Sequence, residues 1–145
     1  MLLMDMIAEI RRRHLVRTQF APPDPVLETA MQYMLMIYGD EAAMGKLTQK
    51  DGEQMMAAYG AYSEALVKAG VMVGGDRLRP SADATSVRVA AGKTEVLNGP
   101  YAETREQLGG YYLIETKDLD AALSWAARCP GASHGTVEVR PVWAM

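Results

Sequence analysis

Two charged residues near the end of the chain have the types and spacing for acid/base chemistry. Glu138 and Arg140 lie two positions apart in "TVEVRPVW", so an extended backbone places both on one face, opposite Val137 and Val139. A carboxylate and a guanidinium on a buried face form either an ion pair or the polar end of a ligand pocket. In a pocket, Glu138 could exchange protons and Arg140 could bind an anion or an oxyanion.

A second group of candidates follows the turn signal "NGP" at positions 98–100. Asparagine can hydrogen-bond its own backbone, glycine permits positive φ and proline ends strand pairing. The connection then returns to the sheet at the glycine pair 109–110. Loops on a rigid sheet often carry function, so Asn98, Tyr101 and Glu103 are candidate ligand contacts, and Glu103 is also a candidate acid or base. The alternative is that Glu103 is an ordinary solvated charge.

His134 is a third candidate acid or base, in the loop segment "GASHGT". Its ordinary pKa near neutrality suits that role, although a loop histidine can equally be exposed to solvent without a role. The chain has two histidines and one cysteine, Cys129, which do not provide a zinc-type ligand set. Its glycines lack the spacing of a phosphate-binding loop. We therefore predict neither a metal nor a cofactor.

The composition is that of one globular domain without a nucleic-acid-binding charge pattern. The chain has 145 residues, of which 49% are hydrophobic and 23% charged, and its formal net charge is −3. No apolar run approaches the length that spans a bilayer. The single cysteine excludes an internal disulfide and suits a reducing cytoplasm. We expect a cytoplasmic protein that binds neither nucleic acid nor membrane.

Residues 1–30 differ from the rest and are predicted to be an N-terminal extension and linker outside the natural domain. Apolar residues at helical spacing precede a basic cluster at 11–17, and the proline-rich segment "APPDPVLETA" follows. The order of charge and apolar residues is not that of a signal peptide. A helix that binds a partner or a membrane surface is the alternative. The domain itself is expected to cover residues 31–145.

Periodicity beyond residue 30 predicts the element order β-α-β, hairpin, β-α-β. The strands are expected at 32–38, from 71, at 110–115 and at 136–143, and the hairpin at 85–98. A first helix follows the capping residue Thr48 and ends near Gly70. A second follows Asp118, and its predicted buried face consists of Leu119, Ala122, Leu123 and Ala126.

This order predicts an α+β fold, namely a ferredoxin-like split β-α-β sheet with an inserted β-hairpin and two helices on one face. The segments 33–38 and 111–114 are apolar at odd and even positions alike, so both faces of these strands need cover. Two helices cover only one face. We therefore expect the other face to meet a second copy of the chain, which makes the protein a homodimer.

Four segments in this order resemble the DGPF-domain family of the YCII-related superfamily: "GVMVGGDRLRP", "NGPYAETREQLGGYYLIE", "DLDAALSWAARCPGA" and "GTVEVRPV". The resemblance extends over residues 32–143. It implies a dimeric α+β barrel, in which two ferredoxin-like sheets pack face to face. It also implies a bacterial cytosolic protein, of a kind often encoded beside or fused to an extracytoplasmic-function sigma factor. The biochemical activity of that family is largely unassigned.

The chain departs from the family pattern where acid/base chemistry would be expected. The namesake Asp-Gly-Pro-Phe is Asn98-Gly99-Pro100-Tyr101 here, and asparagine cannot act as a carboxylate base. The enzyme-like relatives resemble one another in a first-helix histidine and in an aspartate before proline after the second helix. The corresponding positions here are Ala58 or Tyr59, and Cys129. The acid/base pair of those relatives is therefore missing.

These observations predict a homodimer that binds a small molecule or serves a regulatory role, with its pocket between the two sheets. The 98–103 loop is expected at the mouth of the pocket. Its wall is expected to consist of the following residues or of their neighbours on the other face: Tyr33, Leu35, Tyr112, Glu138 and Arg140. One alternative is an enzyme of the same fold, in which Glu103, Glu138 or His134 is the acid or base. Another is an interaction partner of a sigma factor.

Overall fold

The computed structural model describes residues 30–144, so the prediction for the N-terminal extension falls, apart from residue 30, outside the described residues. Strands and helices alternate along this part of the chain, with a single 3-10 turn at Ser81–Asp83. In chain order the elements are β1 (Met31–Gly39), α1 (Glu41–Met44), α2 (Gln49–Lys68), β2 (Met72–Arg77), β3 (Thr85–Ala90), β4 (Lys93–Asn98), β5 (Gln107–Thr116), α3 (Leu119–Arg128), α4 (Gly131–His134) and β6 (Thr136–Pro141).

Four of the strands form one antiparallel sheet in the order β2-β5-β1-β6. The units β1-α2-β2 and β5-α3-β6 interleave in this order, which is the arrangement of a split β-α-β sheet. The predicted α+β class is therefore confirmed, and the antiparallel sheet is consistent with a ferredoxin-like fold. The single-turn helices α1 and α4 had no counterpart in the predicted element order, because four residues are too few for a helical period to show.

Strands β3 and β4 pair only with each other among the described strands and form a separate two-stranded sheet. The turn between them uses Ala91 and Gly92, both with positive φ, of 49° and 76° respectively. Positive φ at both central positions is the backbone of the tight hairpin turns whose twist matches that of the flanking strands. The two strands form a ribbon that is separate from the main sheet. Along the chain, this ribbon is inserted between β2 and β5.

Both long helices begin where a short polar side chain caps the backbone. Thr48 Oγ1 accepts a hydrogen bond of 3.1 Å from the backbone N–H of Asp51, and Asp118 Oδ1 accepts one of 2.8 Å from Ala121. These are the two predicted caps, and both are confirmed. Helix α2 ends before Gly70, whose φ of +73° suits glycine and turns the chain into β2.

The hydrophobic core lies between one face of the sheet and helices α2 and α3. Its buried members are Tyr33, Leu35, Tyr62, Leu66, Met72, Tyr112, Ile114, Ala122, Ala126 and Cys129. Leu119 and Leu123 remain 45% and 46% exposed, so their predicted place on the buried face of the second helix is wrong. Helix α3 instead contacts the sheet through its buried alanines, whose small side chains let a helix approach a sheet closely.

A polar pair lies inside this core. The hydroxyls of Ser63 and Tyr112, which are 0% and 3% exposed, are 2.8 Å apart and share a hydrogen bond. The Tyr62 hydroxyl donates to the carbonyl oxygen of Trp125 at 2.7 Å, and its ring meets that of Tyr112 edge to face at 5.3 Å. Burial raises the pKa of Tyr112 to about 12, although the hydrogen bond with Ser63 acts in the opposite direction. Tyr112 is thus held as a neutral phenol in the core.

We expect Ser63→Ala to lower the free energy of unfolding by about 1–3 kcal/mol, because the buried Tyr112 hydroxyl loses its partner. The double variant Ser63→Ala/Tyr112→Phe removes both polar groups, so it should be closer in stability to the wild-type protein than the single variant is. Urea unfolding curves measure both values. A double variant less stable than Ser63→Ala would contradict the pairing.

Candidate functional site

The candidate site lies on the face of the sheet that points away from α2 and α3, here called the open face. The alternate residues Met34 and Met36 of β1 point to this side, because Tyr33 and Leu35 point into the core. The main side chains of the open face are Met34, Met36, Tyr38, Asp76, Tyr111, Leu113, Glu115, Glu138 and Arg140. Both long helices of the described chain pack on the other face, so neither of them covers the open face.

The strand register arranges this face in rows. Met36 pairs with Tyr111 of β5 on one side and with Glu138 of β6 on the other, and Asp76 of β2 extends the row beyond Tyr111. In the next row, Met34 lies between Leu113 and Arg140. An apolar centre of two methionines and a leucine is therefore bordered by carboxylates on the outer strands. Methionine adapts its shape to irregular partners, which suits a surface that is to be covered.

Asp76 and Tyr111 form the first polar pair of the open face. The Tyr111 hydroxyl donates to Asp76 Oδ2 at 2.6 Å, a short hydrogen bond typical of a charged acceptor. Glycines position this pair, because a Cβ atom at Gly110 would lie 2.8 Å from the Asp76 carbonyl oxygen, and one at Gly75 would lie 2.7 Å from that of Tyr111. The absence of these two side chains lets β2 and β5 approach closely enough for the pair to form.

Tyr38 and Glu138 form the second pair, at the other side of the sheet. Burial raises the pKa of Tyr38 above its usual value, and the Glu138 carboxylate adds to this by its charge and by accepting the Tyr38 hydrogen bond. Tyr101 raises the pKa further, while the positive charge of Arg140 lowers it. Tyr38, Tyr101, Glu138 and Arg140 are therefore electrostatic neighbours. The Tyr38 hydroxyl is held protonated, as a hydrogen-bond donor to a carboxylate.

Glu138 and Arg140 occupy the face that the sequence predicted for them. Val137 and Val139 pack against the core, and the two charged side chains are exposed on the open face. Tyr33, Leu35 and Tyr112 do not join them, because these three residues are buried on the helix side. Their predicted place in one wall with Glu138 and Arg140 is wrong. The segments 33–38 and 111–114 are apolar at odd and even positions alike, so they gave no sign of which set of side chains faces the helices.

The loop after β4 is anchored at its base and exposed beyond it. Gly99 adopts a φ of 120°, its N–H donates to the carbonyl oxygen of Ala84 at 2.7 Å, and its carbonyl oxygen accepts from Ser86 Oγ at 2.8 Å. Asn98, Tyr101 and Glu103 are exposed, with Tyr101 at 84%. Of these predicted contacts, Tyr101 is the one that acts electrostatically on Tyr38. A ligand-binding role for the three residues stays a prediction.

His134 lies away from the open face. It is the last residue of α4, and this helix begins at Gly131, where an added Cβ would meet Ile37 and Tyr59 at 2.6 and 2.7 Å on the helix side of the sheet. His134 itself is exposed. The structure therefore does not bring together the three predicted acid/base candidates, since Glu138 is on the open face, Glu103 is in the 98–103 loop and His134 follows α4.

The two positions identified through the family resemblance do meet in the structure, as Tyr59 and Cys129. A hydrogen bond joins the Tyr59 hydroxyl and the Cys129 thiol. Burial, the largest cause in each case, raises the pKa of both groups. Both side chains are therefore protonated and neutral at physiological pH, so neither is a base that is ready to accept a proton. Ala58 is exposed and takes no part.

The sequence did not single out Tyr38, Asp76 or Tyr111 as site residues. The available signal was the tyrosine pair 111–112, which must place one ring on each face of its strand. Asp76, at the end of an apolar and glycine-rich strand, was a second signal. Over residues 30–144, no three His, Cys, Asp or Glu side chains are grouped as a metal site would require. In the same range, no helix combines the length and hydrophobicity needed to cross a bilayer.

A four-stranded antiparallel sheet with its two long helices on one face and polar pairs on the other is an α+β domain, and its strand order is consistent with a ferredoxin-like fold. The sequence pattern of the YCII-related domain matches residues 31–145, and the chain belongs to this family. An uncharacterized protein of Rhizobium meliloti (strain 1021) is 39% identical to it over 114 residues. That alignment covers 77% of this chain and 92% of the relative.

We expect Glu138→Gln to lower the pKa of Tyr38 towards its ordinary value, because the variant removes the charge that favours the neutral phenol. Arg140→Gln should raise the same pKa, since the guanidinium favours the phenolate. Both values can be followed by NMR of the Tyr38 ring carbon that bears the hydroxyl, assigned with Tyr38→Phe. Glu115→Gln is the matched control on the same face and should leave the pKa unchanged. Equal values in all four proteins would contradict the pairing.

Proposed function

We propose that this chain is a cytoplasmic homodimer of the DGPF type within the YCII-related family, and that it binds a small molecule between two facing sheets. The observation that carries this proposal is the open face, where two tyrosine–carboxylate pairs surround an apolar centre. A pocket of mostly apolar lining with a few fixed polar groups is the usual composition of a small-molecule site. Functional roles for Asn98, Tyr101, Glu103 and Arg140 belong to the same proposal.

The argument for a second copy rests on the apolar centre of the open face. Met34, Met36 and Leu113 are half-buried by their own neighbours, although the two long helices lie on the other side. Apolar surface of this kind on a sheet is a common mark of an interface. A two-fold axis would bring the same residues of two chains together, so one surface supplies both halves of the contact. The dimeric α+β barrel implied by the resemblance has this geometry.

The polar groups define what the enclosed ligand can be. The phenols of Tyr38 and Tyr111 donate to carboxylates, so the charged groups that border the site on the side of these pairs are hydrogen-bond acceptors. Arg140 offers the complementary site for a carboxylate or another anion. A ligand with a flat apolar body, donor groups and one acidic group would match these contacts.

A second candidate is an enzyme that exchanges protons with such a ligand. It is favoured by the neighbourhood of Tyr38, Glu138 and Arg140, which combines a phenol, a carboxylate and a cation. Glu138 would then be the acid or base, and Arg140 would stabilise a developing oxyanion. Glu103 and His134 are less suited to this role because they lie outside the open face. The partnership with a sigma factor stays a prediction from the family resemblance.

We expect the wild-type chain to sediment as a dimer at micromolar concentration and Met36→Lys to sediment as a monomer. The variant places an unpaired charge in the middle of the proposed contact. That should cost about 3 kcal/mol or more, or about a hundredfold in the dimer dissociation constant. Leu123→Lys is the matched control, since this leucine is 46% exposed on α3, on the other side of the sheet. A monomeric wild-type protein would refute the dimer.

We expect a metabolite library screened by native mass spectrometry to yield a ligand whose affinity falls at least about tenfold in Arg140→Gln. Arg105→Gln is the control, because Arg105 is an exposed arginine in the connection before β5. Glu138→Gln separates the two candidates: loss of binding alone favours a binding protein, whereas retained binding with loss of ligand turnover favours the enzyme. A ligand bound equally by all three variants would place the site elsewhere.

A further inference from the structure

The hairpin β3–β4 exposes a row of valines on one side. Val87 lies directly opposite Val96, and Val89 lies opposite Thr94, so the three valines share one face of the ribbon. They are 63%, 66% and 64% exposed, although valine is among the residue types most often buried in proteins. Leu97, on the opposite face of the ribbon, is 59% exposed. The valine row is the most continuous exposed apolar feature of the hairpin.

A ribbon of this kind needs a partner to be stable. An isolated two-stranded hairpin is marginal in water, and it becomes stable when its apolar face packs on a helix or on further strands. Within residues 30–144, the extensive contacts of β3 and β4 are with each other. The valine row therefore lacks a covering surface in the part of the chain that the structure describes. The three β-branched residues of that row therefore form an apolar face that no other part of the described chain covers.

The base of the hairpin lies beside the open face. The Ser86–Gly99 hydrogen bond and the Gly99–Ala84 hydrogen bond fix the point at which the ribbon leaves the main body. Tyr101 follows two residues later and acts electrostatically on Tyr38 of the open face. The ribbon thus begins at the margin of the surface through which the proposed dimer forms. A two-fold axis through that surface would place each ribbon next to the other subunit.

The charges of the two surfaces are complementary in sign. The hairpin strands carry two cations, Arg88 and Lys93, and one carboxylate, Glu95. The open face carries three carboxylates, Asp76, Glu115 and Glu138, and one cation, Arg140. Arg88 lies on the side of the ribbon away from the valines, directly opposite Glu95, whereas Lys93 lies next to the turn at the end of the ribbon. A cation at the rim of a contact directs association and fixes its orientation.

We propose that the hairpin is an exchanged arm, which lays its valine row against a second copy of this chain at the margin of its open face. The arm of each subunit closes one side of the space between the two facing sheets and forms one wall of the small-molecule site there. The site is then incomplete in a single chain. This inference rests on the proposed homodimer and adds which element closes the partner's site.

The first test replaces all three valines by threonine in the full-length chain, Val87→Thr/Val89→Thr/Val96→Thr. Threonine has nearly the same shape and favours strands, so the ribbon is retained while its apolar character is reduced. We expect the dimer dissociation constant, measured by sedimentation equilibrium, to rise at least about tenfold. Arg88→Thr/Glu95→Thr is the control, which changes the other side of the ribbon without altering net charge and should leave the constant within about twofold.

The outcomes separate this inference from the proposed dimer. A wild-type chain that is monomeric refutes both. A wild-type dimer whose dissociation constant is the same in the valine variant refutes the arm and leaves the dimer standing. Weakening by the valine variant, without weakening by the control, supports the arm. Far-ultraviolet circular dichroism of both variants shows whether the main fold is kept.

A second test does not depend on any substitution being tolerated. A zero-length carbodiimide cross-linker is applied to a mixture of ¹⁴N- and ¹⁵N-labelled wild-type protein, and cross-linked peptides are analysed by mass spectrometry. We expect Lys93, next to the hairpin turn, to be joined to Asp76, Glu115 or Glu138 in peptides of mixed isotope content. Lys93 joined within its own chain, including to residues 1–29, or not joined to these carboxylates at all, would overturn the proposal.

Discussion

The two-residue repeat of a β-strand is the constraint on which this structure depends. Strand β1 is apolar at nearly every position, so its alternating side chains present two surfaces that water disfavours. Helices α2 and α3 cover one of them, where Leu35 joins the core with Leu66. The other surface holds Met36 between Tyr111 and Glu138. The same backbone thereby sets both the stability of the domain and the chemistry of its open face.

The topology could be predicted because local signals determine it. The caps at Thr48 and Asp118 mark the two long helices, and strand-length apolar segments alternate with them. The assignment of faces could not be predicted in the same way. Met34 and Leu35 are both apolar, so composition does not reveal which one meets the helices. Only Glu138 and Arg140, polar residues in alternation with valines, carried that information for their strand.

The polar pairs of the candidate site were inaccessible to sequence reasoning for a related reason. Asp76 meets Tyr111 only in a register that includes an irregularity between Met72 and Gly74 of β2. A one-residue change in that register would turn Asp76 to the helix side. Glycines at positions 75 and 110 permit the close approach of the strands. In a sequence, however, a glycine indicates a turn as readily as it indicates a close approach of two strands. The geometry of this site is therefore a property of strand pairing.

The buried contact between Tyr59 and Cys129 has a practical consequence for following the motions of this protein. Cys129 is the single cysteine of the sequence, it is 2% exposed, and it lies at the junction of α3 and α4. A thiol reagent can reach its sulfur only when this junction opens, because thiolate formation requires water as well as access. The rate of thiol labelling in the native chain thus reports local opening at one defined joint, without any engineered probe.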